Sequence, residues 1–449
     1  MFVNKENLSS LTSKQSEFKV IRMQLPKTTL GFIRLIQLVG IYLVLIIFVP
    51  IFALGNYSLA ENAIPERSSS NKYTIRPPKN FKVYRVTYSK PKVSPSTSKI
   101  WPNRLRGLNT KLVFPIKKNS TNPGGFLPET IFKKLVAWHV NVIRVPVNAD
   151  VNIFKNEKSV TLSERASKDV ILAYSRHLKG LAHTLRLAKK YNIYVIVSAG
   201  RVVNRRKMPL YSKFDRSGYW KGVVRLWKHI AREFGKHDKL LAYDLLNEPD
   251  CDSDVWQTMV LPKIIEAIRE VDKDTYLVIE PAPGGSYRSF KDFVPVNDPK
   301  AVYSFHFYAP HNYTHQGIGK RQLIFEYPGY IKHFNHSPLL YWDEEQLERQ
   351  VRHVVAFQEK FHKRIFAGEF GVVRWASGGA KWLEDVIHIA EKHGWDWCFF
   401  SFGGWNGWNP TFESDDPISN EIDGHKHTKR LKVLLRSWEK NCEDNSENI

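Results

Sequence analysis

Cysteine is scarce: 449 residues hold three, Cys251, Cys398 and Cys442, an odd number with no CxxC spacing. That pattern argues against a disulfide-stapled scaffold and offers no zinc signature. Sequence repeats of solenoid type are absent, and so are finger, helix-turn-helix and Gly-rich phosphate-loop motifs. The net charge of +23 could draw nucleic acid, anionic lipid or acidic polysaccharide. Without a recognition motif, no nucleic-acid partner is expected. Acidic residues are missing altogether between Glu17 and Glu61, and about half of the net charge falls on the first hundred residues. Long apolar runs are equally rare, with one exception.

That exception is residues 35–54, LIQLVGIYLVLIIFVPIFAL, about the length that spans a bilayer. Lys19, Arg22, Lys27 and Arg34 precede it within the basic segment 1–34. Positive flanks stay on the cytoplasmic side, so the chain beyond residue 54 should be translocated. Ser58-Leu59-Ala60 supplies a small-x-small cleavage site. The run therefore reads as a transmembrane anchor or as the core of a cleaved signal, and both deliver the remainder outside the cytoplasm, as a secreted, periplasmic or extracellular domain. Residues 55–100, rich in Ser, Pro and Lys, read as a linker, because such a composition cannot bury enough apolar surface to order itself.

From residue 101 the pattern changes. Eight short apolar runs, at 104–109, 140–147, 193–200, 241–249, 275–281, 301–308, 364–371 and 395–402, alternate with amphipathic helical stretches such as 175–191 and 255–272. Alternation of this kind implies parallel pairing, in an open doubly wound sheet or a closed (β/α)8 TIM barrel over residues 101–440. The polar residues decide between the two. Asn109, Arg144, Asn247 with Glu248, Glu280, His306 with Tyr308, Glu369, and Ser401 followed by Trp405 all fall at or just past the ends of the runs. A TIM barrel gathers its reactive groups on that rim. A Glu inside IFAGEFGV costs several kcal/mol if buried without a partner, so it should face a polar pocket.

Two rim carboxylates can cleave a glycosidic bond, one protonating the leaving oxygen and the other attacking the anomeric carbon. Strands 4 and 7 of a barrel face one another across the mouth, which pairs Glu248 as general acid/base with Glu369 as nucleophile. Arg144 should keep Glu369 ionised, while Glu248 needs a raised pKa to act as an acid. Asn247 is expected on a sugar 2-hydroxyl, and Trp405 as the apolar floor under a sugar ring, with Trp408 and Phe402 as close competitors for that place. His306, His311 and His315 share one loop, but Pro310 and the turn residues there do not give helical ligand spacing, so no metal is expected. Glu280 reads as a supporting residue.

At these positions the chain resembles glycoside hydrolase family 5. LLAYDLLNEPD is similar to the family's Asn-Glu-Pro acid/base strand and IFAGEFGV to its nucleophile strand. RVPV carries the Arg, SFHFYAPHNYTHQG the His-Tyr pair, RGLN the first strand and WDWCFFSFGGWNGW the aromatic eighth. The resemblance runs in order over residues 101–440. It implies a retaining, endo-β-1,4-glucanase-like hydrolase that needs no cofactor and acts as a monomer on a β-linked oligosaccharide or polysaccharide. It also implies that His306 bonds near the acid/base and that Tyr308 orients Glu369. The chain departs from the family at strand 3, where VIVSAGR places Ser198 and Arg201 in the region of the usual His. Two alternatives remain open at this point: a silent carbohydrate-binding barrel tethered to the membrane, and a hydrolase of glycolipid or envelope glycan.

Overall fold

The computed structural model describes residues 98–112, 126–147, 168–200, 219–319, 325–412 and 427–446. The basic segment 1–34, the apolar run 35–54 and all of the linker before residue 98 lie outside them. Among the described residues no helix is long and apolar enough to cross a membrane.

Eight parallel strands close into a barrel. They are β1 (Arg106–Asn109), β2 (Val142–Val147), β3 (Tyr194–Ala199), β4 (Leu240–Asp244), β5 (Tyr276–Ile279), β6 (Ala301–Phe307), β9 (Ile365–Phe370) and β10 (Asp396–Phe399), in the order of the apolar runs. Helices α1 (Glu129–Ala137), α2 (Lys168–Lys190), α3 (Tyr219–Phe234), α4 (Leu261–Arg269), α7 (Arg352–Phe361), α8 (Gly379–Lys392) and α9 (Lys429–Ser446) follow strands around the ring. Between β6 and β9 the chain also forms the one-turn α5 (His311–Thr314), an antiparallel hairpin of β7 (Gly329–Lys332) and β8 (Leu339–Trp342), and the short α6 (Glu344–Gln350). The sequence reading did not foresee that hairpin.

Alternation along the strands sorts the barrel interior into layers. Val142, Ile196, Ala242, Val278, Val302, Phe366 and Cys398 form an apolar middle layer. Two residues further along, the same faces carry Arg144, Ser198, Asp244, Glu280 and Ser304, all buried. The interior is thus dry at its waist and polar towards the C-terminal mouth. β4 carries an extra residue at Leu241 against β3, and near the mouth β9 breaks the alternation as well. β6 pairs Phe305 with Ala367 but His306 with Glu369, and β10 pairs Trp397 with Ala367 but Phe399 with Phe370. An extra residue in β9 at Gly368 therefore faces both neighbours, as in a β-bulge. A Cβ on Gly368 would come within 2.5 Å of Ser304 Oγ. The bulge turns Glu369 into the mouth where strict alternation would have aimed Gly368.

Two boundaries differ from expectation because side chains there have partners. Lys99 Nζ donates to the carbonyls of Gly235 and Leu240 and to Thr275 Oγ1 at 2.6–2.7 Å, so the end of the assigned linker already belongs to the barrel base. At the other end, α9 continues past residue 440, where Arg106 Nη1 donates to Asn441 Oδ1 at 3.2 Å and to Asp444 Oδ2 at 2.5 Å.

Candidate active site

Arg144, on β2, sits at the centre of the mouth and is 4% exposed. Its Nε donates to Asp244 Oδ2 at 2.6 Å. Nη1 donates to Glu369 Oε1 at 2.6 Å and to Asn109 Oδ1 at 3.0 Å. Nη2 reaches Asn247 Oδ1, Glu280 Oε1 and Ser198 Oγ at 2.9, 3.0 and 3.1 Å. Five N–H groups thus serve six acceptors drawn from five strands and the loops that follow them. Burial opposes the guanidinium charge, but Asp244, Glu369 and Glu280 outweigh it and raise its pKa further. Burial raises the Asp244 carboxyl in turn, with Arg144 opposing and Glu280 adding to the rise.

Glu369 is held from both sides. Arg144 binds one oxygen, and Tyr308 Oη donates to the other at 2.9 Å. Burial, then Glu369 and Glu248, keep the Tyr308 phenol well above its ordinary pKa, so its proton stays available to the carboxylate. Glu248 lies beyond the end of β4 with a left-handed φ of 50°, which is uncommon for a residue with a Cβ and costs of order 1 kcal/mol or more. Its N–H donates to Glu280 Oε2 at 2.8 Å, and its carboxyl Oε1 is 3.0 Å from His306 Nδ1. The fully buried Glu280 therefore supports both the arginine and the backbone turn that projects Glu248. Glycine is needed at 285 for the same reason: φ is +61°, and a Cβ there would meet Glu280 Oε2 at 2.3 Å.

His306 stands between the carboxylates. Its Nδ1 is 3.7 Å from Glu369 Oε2. Its Nε2 is 3.2 Å from Glu280 Oε1, without the alignment of a hydrogen bond. Burial disfavours the imidazolium, yet Glu280, Glu369 and Glu248 together hold its pKa well above the ordinary value. Glu248, His306 and Glu369 offer ligand atoms within 4.8 Å of one another, so these three are where a metal ion could be held. Each already has a partner here: His306 for Glu248, and Arg144 with Tyr308 for Glu369.

The cleft above these groups has a volume of about 770 Å³, and its lining includes Asn109, Asn247, Glu248, Tyr308, Glu369 and Trp408. Trp405 does not line the cleft. Gly403, at φ +72°, turns the chain after β10, and the Trp405 ring lies edge-on to Trp375 and Trp408 with 46% of the residue exposed. Trp408 takes the inner place, 5.8 Å from Tyr308 and 5.0 Å from His315 between ring centroids. Ser198, in turn, is buried and faces Arg144 rather than the cleft. Gly200 and Pro146 form that wall, and Arg201 lies outside the described residues. Asp244 was missed, although an acid within LLAYDLL carries the same signal that singled out Glu369. His311 and His315 line the cleft as well.

A model of the cellulase family, glycosyl hydrolase family 5, matches residues 101–406. Endoglucanase C of Acetivibrio thermocellus is 28% identical over 275 residues, covering 53% of this chain and 76% of its own length. Cellodextrinase A of Ruminococcus flavefaciens is 23% identical over 275 residues, covering 60% and 76%. Among solved structures, endoglucanase Cel5A of Thermotoga maritima superposes with a TM-score of 0.54 at 19% identity, over 74% of this chain and 96% of that one.

The electrostatics give a pH test. A raised His306 pKa means that its charged form stabilises the fold fully below the unfolded value of about 6.5, and that this contribution is lost as pH rises through the folded value. Glu280 is the largest of the raising influences. In Glu280→Gln, NMR titration of the His306 imidazole should therefore show a midpoint about one pH unit lower or more, and the loss of stability should begin at lower pH. An unmoved midpoint would show that Glu280 does not set the charge of the site.

Proposed function

The chain belongs to glycosyl hydrolase family 5, the cellulase family, and is a glycoside hydrolase; we propose that it cleaves β-1,4-linked glucan chains with retention of configuration, Glu248 acting as general acid/base and Glu369 as nucleophile. The observation that carries this reading is the carboxylate spacing. One carboxylate oxygen of Glu248 and one of Glu369 lie within 4.8 Å of each other. Retaining enzymes hold the pair at roughly 5–5.5 Å, whereas inverting ones need about 6.5–9.5 Å to admit a water.

In the first step a Glu369 oxygen attacks the anomeric carbon while Glu248 gives its proton to the departing glycosidic oxygen. Arg144 and Tyr308 hold Glu369 aimed through both oxygens, so little reorganisation is left for the transition state. In the second step Glu248, now a carboxylate, takes a proton from the water that displaces Glu369, and His306 at 3.0 Å shares the charge that cycles there. Asn247 Oδ1 is committed to Arg144, which leaves its amide N–H groups for a sugar hydroxyl. Trp408 supplies the apolar surface. Glucan specificity is supported by relatives named endoglucanase, while the Gly200–Pro146 wall in place of a histidine alters the contacts of the reacting sugar. The basic flank and apolar run at 35–54 support action outside the cytoplasm, with the domain anchored at the membrane or released from it.

Two experiments test this reading. Glu369→Ala should abolish hydrolysis of every substrate, and azide should restore cleavage of an activated glycoside with inverted configuration. Glu248→Ala should lose about 100-fold or more on poor leaving groups but little on an activated aryl glycoside, with azide then giving a retained product. Wild-type turnover in both variants would remove these residues from the chemistry. Separately, protease added to intact cells or spheroplasts should digest the barrel domain; protection until the cytoplasmic membrane is lysed would refute the assigned location.

A further inference from the structure

The β7–β8 hairpin has an outer face that stays exposed among the described residues. Ile331 and Trp342 turn inward and are buried. Tyr330 and Tyr341, paired directly across the strands, turn outward and are 68% and 49% exposed. Leu339 shares that face opposite Lys332 and is 55% exposed. A hairpin in water would ordinarily carry polar residues on this side.

Beside it lies a hollow of about 390 Å³ lined by Arg288, Lys291, Gln350, Arg352 and His353. Among the described residues no carboxylate forms an ion pair with Arg288, Lys291 or Arg352. The glutamates of α6 are engaged elsewhere: Glu344 with His388, Glu345 with Arg349, and Glu348 with Lys392 and His393. Asp292 is the one acid on the same turn of chain. The hollow and the hairpin are joined beneath the surface through Tyr287 and His333, both buried. Tyr287 Oη is 3.3 Å from His333 Nε2, His333 directly follows β7, and the Arg288 guanidinium lies 5.5 Å from the Tyr287 ring centroid. Burial, with Arg288 and His311 adding to it, lowers the His333 pKa to about 3, so His333 adds no charge of its own.

We propose that this face, the Tyr330–Tyr341–Leu339 surface together with the Arg288–Lys291–Arg352 hollow, docks the domain on an anionic phospholipid bilayer. Tyrosine is suited to the membrane–water boundary, leucine to the acyl edge and Arg or Lys to the headgroup phosphates. A neutral glucan fits less well. The two tyrosine rings stand at 73° to one another and offer no common plate for a sugar, and three cations beside the single acid Asp292 favour an anion over neutral hydroxyls. Each cation near an anionic surface strengthens binding by about fivefold. The docking does not depend on residues 35–54 serving as an anchor. That segment governs attachment to any bilayer, whereas this face selects an anionic one.

Hydrogen exchange of the full chain tests the proposal, with phosphatidylglycerol vesicles compared against phosphatidylcholine vesicles. Backbone amides of 287–292 and 329–342 should exchange more slowly on the anionic vesicles alone. Arg288→Gln/Lys291→Gln/Arg352→Gln should weaken that effect by about fivefold per residue, and Tyr330→Ser/Tyr341→Ser should weaken it too, both with unchanged turnover of a small soluble glycoside. Identical exchange on the two vesicle types would overturn the proposal. So would protection by a cello-oligosaccharide in the absence of lipid, which would assign the face to glycan. Flotation of the chain with both vesicle types reports on the anchor, so anchor and docking face fail separately.

Discussion

Everything at the mouth of the barrel hangs on the charge of Arg144. Taking Asp244, Glu280 and Glu369 out of water together is costly, since each buried ion forfeits several kcal/mol of solvation. One planar guanidinium with N–H groups on both sides can reach all three and still bond Asn109, Asn247 and Ser198. Lysine could not do this, because a point charge with three donors lacks the reach and the fixed fork. The apolar layer beneath, with Val142 two residues earlier on the same strand, keeps water from reaching the network from below. The arrangement is worth more as positioning than as stability: it fixes Glu369 before any substrate arrives.

Glu248 is governed by a different balance. It is the exposed member of the pair, its side chain 47% accessible, and it is held by its backbone turn and by His306 rather than by Arg144. Glu280 links the two regimes, accepting from Arg144 through one oxygen and from the Glu248 N–H through the other. The two catalytic candidates thus sit in unlike surroundings, one locked in a charged network and one facing the cleft, which is how a single site can hold one carboxylate as nucleophile and another as acid.

Much of this was legible in the sequence because strand ends and barrel rims follow simple periodicity. Seven strands fall within the apolar runs and β4 starts one residue ahead of its run, at Leu240; Arg144, Asn247, Glu248, His306, Tyr308 and Glu369 meet at the mouth. What alternation could not show was where it breaks. The bulge at Gly368 and the left-handed backbone at Glu248 both put a glutamate where a regular strand would not, and such breaks depend on neighbours distant in sequence. Trp405 and Trp408 are three residues apart in a loop rich in Gly, and only the turn at Gly403 decides which one reaches the cleft. Ser198, in the region of the family's usual strand-3 His, turns inward, where its hydroxyl accepts from Arg144. The β7–β8 hairpin has strands of four residues each, too short for alternation to stand out from the surrounding sequence.

The cleft and the hairpin face draw on different residues. The proposed retaining reaction requires two carboxylates close enough for direct attack rather than for an interposed water. Proton NMR of the first product released by the native enzyme from a β-1,4-glucan oligosaccharide tests this most directly, read before mutarotation. Retention requires that the new reducing end appear first as the β anomer and equilibrate afterwards; an α anomer formed first would contradict it.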